Sequence, residues 1–210
     1  MSLIRSLLAG ALLAWSFTAP ASAETRMSDA DLAAALKGGG HVIVIRHGAT
    51  NPDQADTDPL NPANVAKQRQ LNDAGRAAAR ELGAALKTIG VPVGKVVTSQ
   101  FHRAYETAQL AGLTDIEKSA DVTEGGLVVS PRENSRRAAA LKTLASTAPA
   151  AGRTTIIVTH KPNILDAFGK DWFDVKEGEA TVFKPSGSGY AVVARIQMDE
   201  WKKIAAAARK

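Results

Sequence analysis

Two histidines each close a run of strand character. One lies in HVIVIRHGAT, from His41 to Thr50, and the other in TTIIVTHK, from Thr154 to Lys161. The β-branched run Val42 to Ile45 has no helical spacing and stops at Arg46, His47 and Gly48, so it predicts a buried strand that delivers polar groups at its C-terminal end. Thr154 to Val158 does the same for Thr159, His160 and Lys161. Ligand sites of open α/β sheets lie at such ends, and Gly48 lets a ligand approach the backbone closely. A neutral imidazole held in one tautomer can attack phosphorus, provided that a second cationic or hydrogen-bonding group meets the phosphoryl oxygens as charge shifts. Planar guanidinium groups match those oxygens bidentately. The chain offers Arg46 beside His47, and Arg103 in SQFHRAYET between Ser99 and Thr107. Taken alone, the first strand would equally be a terminus whose arginine reaches water; the chemistry rests on the set.

The elements that must position these groups follow from pattern. Ser28 is an N-cap for a helix with Asp29 and Asp31 in its first turn, Leu32 and Leu36 toward a sheet, and a stop at Gly38 to Gly40. After the first strand, residues 51 to 70 are polar and marked by Pro52, Pro59 and Pro62, which predicts an ordered functional loop over the strand end. Leu71, Ala74, Ala78, Leu82, Leu86 and Ile89 recur at helical spacing before Gly90. A second strand within Val91 to Ser99 and a helix over Arg103 to Leu110 follow, so alternation of strand and helix predicts parallel pairing by right-handed crossovers. An edge strand is expected near Ile116, with turns at Gly125 and Gly126. Pro131 opens a helix to about Leu144, carrying an Ala138, Leu141 and Leu144 stripe. A short helix covers Pro162 to Phe168, and strands at Ala180 to Phe183 and Tyr190 to Ile196 flank the hairpin loop PSGSG. A closing helix, Glu200 to Arg209, presents Trp201, Ile204 and Ala208 for packing.

Composition narrows the function classes. Met1 to Arg5, the apolar stretch Ser6 to Phe17 and the A-x-A at Ala21 to Ala23 read as a cleaved secretory signal, residues 1–23, leaving one domain over 24–210. The apolar stretch is shorter than the ~20 residues a membrane span needs, so no transmembrane segment is expected in the mature chain. A periplasmic or secreted destination follows. The sequence has no cysteine, which excludes disulfides and thiolate chemistry despite an oxidising compartment. Arg5 is the only charged residue of the signal, so cleavage takes the formal net charge from +5 to +4. That surplus suits acidic substrates and is too diffuse for nucleic acid.

The motifs resemble the histidine phosphatase superfamily, the phosphoglycerate mutase-like fold. Its RHG signature stands at Arg46-His47-Gly48 with the following hydroxyl at Thr50. An LNDAGRAAA-type segment stands at Leu71 to Ala79, S-x-x-x-R-A-x-x-T at Ser99 to Thr107, and the late strand with histidine at Val158 to His160. The order is the family's and spans most of the mature chain. The resemblance implies a three-layer α/β/α sandwich with a central mostly parallel sheet and a phosphate pocket above the strand ends. Carried over by position, His47 is the nucleophile, Arg46, Arg103 and His160 bind the phosphoryl group, and no metal or other cofactor is required. The acid-phosphatase-like branch has an aspartate directly after the late histidine; Lys161 stands here, which points to the other branch. That branch places a glutamate after the second arginine segment, matched by Glu124 in DVTEGG, with Glu133 and Asp121 as reserves for the proton donor. Thr50, Asn51 and Arg69 are expected to line the substrate side, with Gln68 beside them. His102 is either a leaving-group contact or an incidental loop residue, and His41 is structural or exposed.

The expected function is an exported phosphatase acting on a phosphomonoester of a small molecule or envelope component through phospho-His47. The alternatives are a non-catalytic phosphate-ligand binding protein, or a pyrophosphate-cleaving or phosphoryl-transferring member of the same fold.

Overall fold

The structure is a computed structural model that describes residues 27–125, 128–187 and 189–209. The expected signal segment lies outside the described residues, as does part of the turn at Gly125-Gly126. Six strands form one sheet: β1 (Val42–Arg46), β2 (Val93–Ser99), β3 (Ile116–Ser119), β4 (Thr154–Thr159), β5 (Ala180–Ser186) and β6 (Gly189–Ile196), in the spatial order β3-β2-β4-β1-β5-β6. The first four are mutually parallel; β5 runs antiparallel to β1, and β6 to β5. The sheet is therefore mixed, with the parallel part central. β4 lies between β1 and β2, which puts the ends of the two histidine-bearing strands side by side, with Arg46 opposite Thr159.

The unbroken apolar runs have a direct cause: both faces of the sheet are covered. On β1, Ile43 and Ile45 join one core with Leu32, Leu36, Leu82, Leu86, Ile156, Trp201 and Ile204. Val42 and Val44 turn the other way, to Val97, Leu141, Ile157, Ile164 and Phe183. The first core is closed by helices α1 (Asp29–Gly38), α2 (Asp73–Ile89), α3 (His102–Leu110) and α6 (Trp201–Ala207), and the second by α4 (Pro131–Ser146) and α5 (Lys161–Phe168). This is the three-layer sandwich of the phosphoglycerate mutase-like fold.

Capping explains most boundaries. Ser28 accepts from the Asp31 backbone N–H and Asn72 from that of Gly75, while Gly90 ends α2 at φ 79° in the left-handed region. Two expectations shift. On α6, Ala205 rather than Ala208 is buried beside Trp201 and Ile204, because Ala208 falls past the last full turn and is exposed. On α4, the fully buried positions are Leu141 and Ala145, with Ala138 and Leu144 at the margin of the core. Among the described residues, no helix is long and apolar enough to cross a membrane.

Candidate active site

The backbone platform is built first. The His47 N–H donates to the Thr159 carbonyl at 3.0 Å, and the Gly178 N–H to the His47 carbonyl at 2.9 Å, so β1 is held on both flanks just where it ends. The Gly48 N–H donates to Thr107 Oγ1 at 3.0 Å, whose hydroxyl donates to the Arg103 carbonyl at 2.7 Å. One threonine thus ties the RHG turn to the helix that carries the second arginine. Asn72 explains the LNDAG segment: its N–H and side-chain amide donate to the carbonyls of Ala49 and Thr50, both at 3.0 Å. A Cβ on Gly75 would run into the Ala49 backbone, so glycine is required for this approach.

On this platform the two histidines meet, with ring centroids 5.1 Å apart and planes crossed at 61°. His47 is 1% exposed, and its Nδ1 lies 2.8 Å from the Gly48 carbonyl. A carbonyl can only accept, so Nδ1 carries the proton and Nε2 keeps its lone pair. Burial pushes the His47 pKa well below its ordinary value, and His160, Arg103 and Arg46 push it further. His160 is fully buried and is pushed down by burial, then by Arg103, Arg69 and Arg46. Both rings are therefore neutral at physiological pH, as a nucleophilic imidazole must be.

This neutrality has a stability consequence. In the unfolded chain each ring titrates near 6.5, the ordinary value, whereas in the folded chain it resists protonation to lower pH. The unfolded state therefore binds more protons below that value, and each histidine contributes stability that is complete above it and is lost as pH falls toward the folded value. The slope is about 1.4 kcal/mol per pH unit for each ring. Thermal unfolding followed from about pH 7.5 to pH 5 should show Tm falling below about pH 6.5. A Tm that rises or stays level across that range would contradict two buried neutral rings.

Arg103 has no exposed surface. Its Nη1 donates to Asp56 Oδ1 at 3.0 Å, its Nη2 pairs with Glu124 Oε1, and its guanidinium stacks over the Phe101 ring at 4.6 Å. The buried Nε has no hydrogen-bond partner among the described residues. Arg46 donates from Nη1 to the Val175 carbonyl at 2.8 Å and lies 3.5 Å from Glu177, leaving its own buried Nε unpartnered. Arg46 and Arg103 thus bear on both neutral imidazoles, and Arg69 on that of His160. Asp56, Glu124 and Glu177 hold their carboxylates against Arg46 and Arg103. An oxyanion entering this site exchanges with carboxylates for guanidinium donors.

The site residues expected from sequence divide into those brought together and those set aside. His47, His160, Arg103 and Glu124 converge, with Glu124 Oε1 3.4 Å from His160 Nδ1. Thr50 is buried, but its hydroxyl donates to Glu177 at 2.8 Å, so it steadies the carboxylate facing Arg46. Asn51 is exposed at the loop mouth, where its N–H meets the Gln70 carbonyl. Arg69 reaches the site through its charge, while its N–H is held by Asp56 at 2.9 Å. Gln68 serves as scaffold: its buried amide oxygen caps α3 by accepting from the His102 N–H at 2.7 Å.

The reserve acids are set aside. Glu133 bonds Arg136 and Arg137, which hold its carboxyl down to about 2, and Asp121 pairs with Arg136 at 2.6 Å. Both acids thus lie against guanidinium groups of α4, whereas Glu124 lies against His160. His102 faces Glu106 at 3.8 Å, and His41 is buried at the start of β1. Sequence reasoning missed Asp56, Glu177 and the Val175 carbonyl. Asp56 is one of three aspartates in NPDQADTDPL and Glu177 lies in a turn, so neither belongs to a periodic pattern that would mark it. Among the described residues, no cluster of three or more histidines, aspartates or glutamates could hold a metal ion.

A profile of the Histidine phosphatase superfamily (branch 1) matches residues 42–128, which span the RHG strand, the Arg103 helix and Glu124. Curated protein sequences returned no match. Among solved structures, the protein histidine phosphatase SixA complexed with tungstate aligns with a TM-score of 0.53 at 19% identity, over 76% of this chain and 98% of that one. A phosphoserine phosphatase mutant from Entamoeba histolytica in complex with phosphoserine gives 0.52 at 17%, over 75% and 97%. Bacillus stearothermophilus YhfR gives 0.54 at 18%, over 73% and 95%. At these identities the likeness is one of fold.

Proposed function

We propose that this chain, which belongs to the histidine phosphatase superfamily on its fold and its matched signature, is a phosphatase that hydrolyses a phosphomonoester through a phosphohistidine at His47. The observation that carries this reading is the His47 tautomer: Nδ1–H is spent on the Gly48 carbonyl, so the lone pair sits on Nε2 in a pocket of guanidinium groups. In the first half-reaction Nε2 attacks phosphorus while the phosphorus–oxygen ester bond breaks. The bonding pair leaves on the ester oxygen, which takes a proton from the carboxyl of Glu124. In the second, Glu124 accepts a proton from water as the water oxygen attacks phosphorus, and the phosphorus–nitrogen pair returns to Nε2. Arg103 and Arg46 meet the charge on the equatorial oxygens throughout. These residues suffice for each proton and electron pair without a metal ion.

The test is a panel of sugar phosphates, nucleotides, phosphoamino acids and phosphorylated envelope components, read for released phosphate and for an acid-labile phosphoenzyme. Absence of both across the panel would overturn the reading. Glu124→Gln should slow esters with poor leaving groups by about 10² or more and activated aryl phosphates far less, since only the former need the proton. Equal losses on both would remove Glu124 from the acid role. Export rests on residues 1–23, and we place the mature protein outside the cytoplasm; an N-terminus at Glu24 on protein recovered from the periplasmic or secreted fraction is the check.

A further inference from the structure

The hydroxyl pair behind His160 admits one arrangement of protons. Thr123 Oγ1 lies 2.7 Å from the Ser119 carbonyl, which can only accept, so the threonine hydrogen points there. Thr123 Oγ1 also receives the Gln100 N–H at 2.9 Å and is 3.2 Å from Ser99 Oγ. With its own hydrogen spent, Thr123 must accept from Ser99. Ser99 Oγ receives the Phe101 N–H at 3.1 Å and stands 2.7 Å from His160 Nε2. With the serine hydrogen spent on Thr123, Nε2 must be the donor. Each hydroxyl then gives one hydrogen bond and accepts two, which is its full capacity. Ser99, Thr123 and His160 are all buried, so water does not offer an alternative.

We infer that this Ser99–Thr123 chain locks His160 in the Nε2–H tautomer, so that its inward Nδ1 can donate to a bound oxyanion only after taking up a proton, and that oxyanion binding is therefore coupled to uptake of one proton by His160. Ser99 is a positioning residue in this scheme. The inference rests on the phosphatase reading only in assigning the oxyanion to this pocket. The two histidines thus hold opposite tautomers, His47 with its lone pair on Nε2 and His160 with its lone pair on Nδ1.

The surroundings of His160 fit such a switch. Nδ1 is buried and has no hydrogen-bond partner among the described residues. The groups bearing on it are His47 from the end of β1, Arg46 from the same strand, Arg103 from α3, Arg69 from the 51–70 loop and Glu124 at 3.4 Å. Asp56 acts at one remove, through Arg103. Burial and the three arginines by themselves hold the ring neutral. A dianion set among those arginines reverses the sign of the local field, which favours the imidazolium. The proton gained then lies between a phosphoryl oxygen and Glu124 Oε1, from where it can pass to the Glu124 carboxyl that protonates the leaving oxygen.

Tungstate is the probe, because it carries no titrating proton near neutrality. Calorimetry of tungstate binding in two buffers of different ionisation heat should count close to one proton taken up. Between about pH 6.5 and 7.5 the tungstate Kd should weaken close to tenfold per pH unit as pH rises. In Ser99→Ala the ring is free to carry its proton on Nδ1, so both the proton count and the slope should fall toward zero; Ser99→Thr, which keeps the hydroxyl, should retain them. Nitrogen-15 spectra of the unliganded wild type should show a protonated Nε2 and an unprotonated Nδ1 for His160, a readout that needs no variant to fold. The opposite tautomer overturns the inference. So does tungstate binding without proton uptake, which leaves the phosphatase reading standing, and so does an uptake abolished by Glu124→Gln, which would put the proton on the carboxylate. A wild type that binds no tungstate at all overturns both.

Discussion

His47→Ala should lower kcat/KM by about 10⁴-fold or more on every ester the wild-type protein turns over and abolish the acid-labile phosphoenzyme. The size follows from what the substitution removes. Nε2 is the atom that accepts the phosphoryl group in the proposed reaction, and His102 near Glu106 is too differently placed to substitute for it. His160 cannot take over either, because its Nε2–H is spent on Ser99 and its Nδ1 takes up a proton when the oxyanion binds. Folding should survive. The His47 side chain contributes one hydrogen bond, to its neighbour's carbonyl, and the backbone bonds that hold the end of β1 do not depend on it. A variant that folds, binds tungstate and still forms a phosphoenzyme would move the nucleophile elsewhere.

Arg103→Ala should damage activity and stability together. Its guanidinium is fully buried between Asp56 and Glu124, so truncation leaves two carboxylates facing each other without a counter-charge. Removing one partner of a buried ionic pair costs about 3–5 kcal/mol, and urea unfolding should show a loss of that order. Loss of the guanidinium that meets the phosphoryl oxygens in the proposed reaction should reduce kcat/KM by roughly 10³-fold. Arg103→Lys separates the two effects. It keeps the charge that Asp56 and Glu124 require but loses the planar fork, so stability should recover by more than half while activity stays well below wild type. Equal recovery of both would mean that Arg103 acts as a charge alone. An unchanged unfolding midpoint in Arg103→Ala would mean that the carboxylates do not depend on it.

These expectations connect the 51–70 loop to the chemistry through Asp56. Its Oδ1 holds the Arg69 N–H and the Arg103 guanidinium at once, while Gln68 from the same loop caps α3. The loop is therefore fastened to the arginine that would receive the phosphate, and residues exposed on it, such as Asn51 and Leu60, are where substrate identity can be varied without disturbing the reacting atoms.

The sequence by itself determined the elements and singled out polar groups that the structure brings together. Val42 to Ile45 and Ile156 to Val158 are apolar without alternation because both faces of their strands are covered, so burial was readable before any pairing was known. Ser28, Asn72 and Gly90 act within a turn of their own positions, and local capping needs no tertiary information. The RHG turn, Arg103 and His160 announced themselves as polar residues at the ends of such strands and helices. Only the tertiary structure decided what those groups do to one another. That β4 lies between β1 and β2, and that β5 runs antiparallel to β1, are properties of pairing between distant segments. Partners far apart in the chain set the remaining features: Asp56 on Arg103, Glu177 on Arg46, Asp121 on Arg136, and the Ser99–Thr123 chain behind His160. A tautomer is set by which acceptor stands beside each nitrogen. For His47 that acceptor is the next residue in the chain, whereas for His160 it is Ser99, at the end of a neighbouring strand, so only packing could choose the nitrogen that carries the proton.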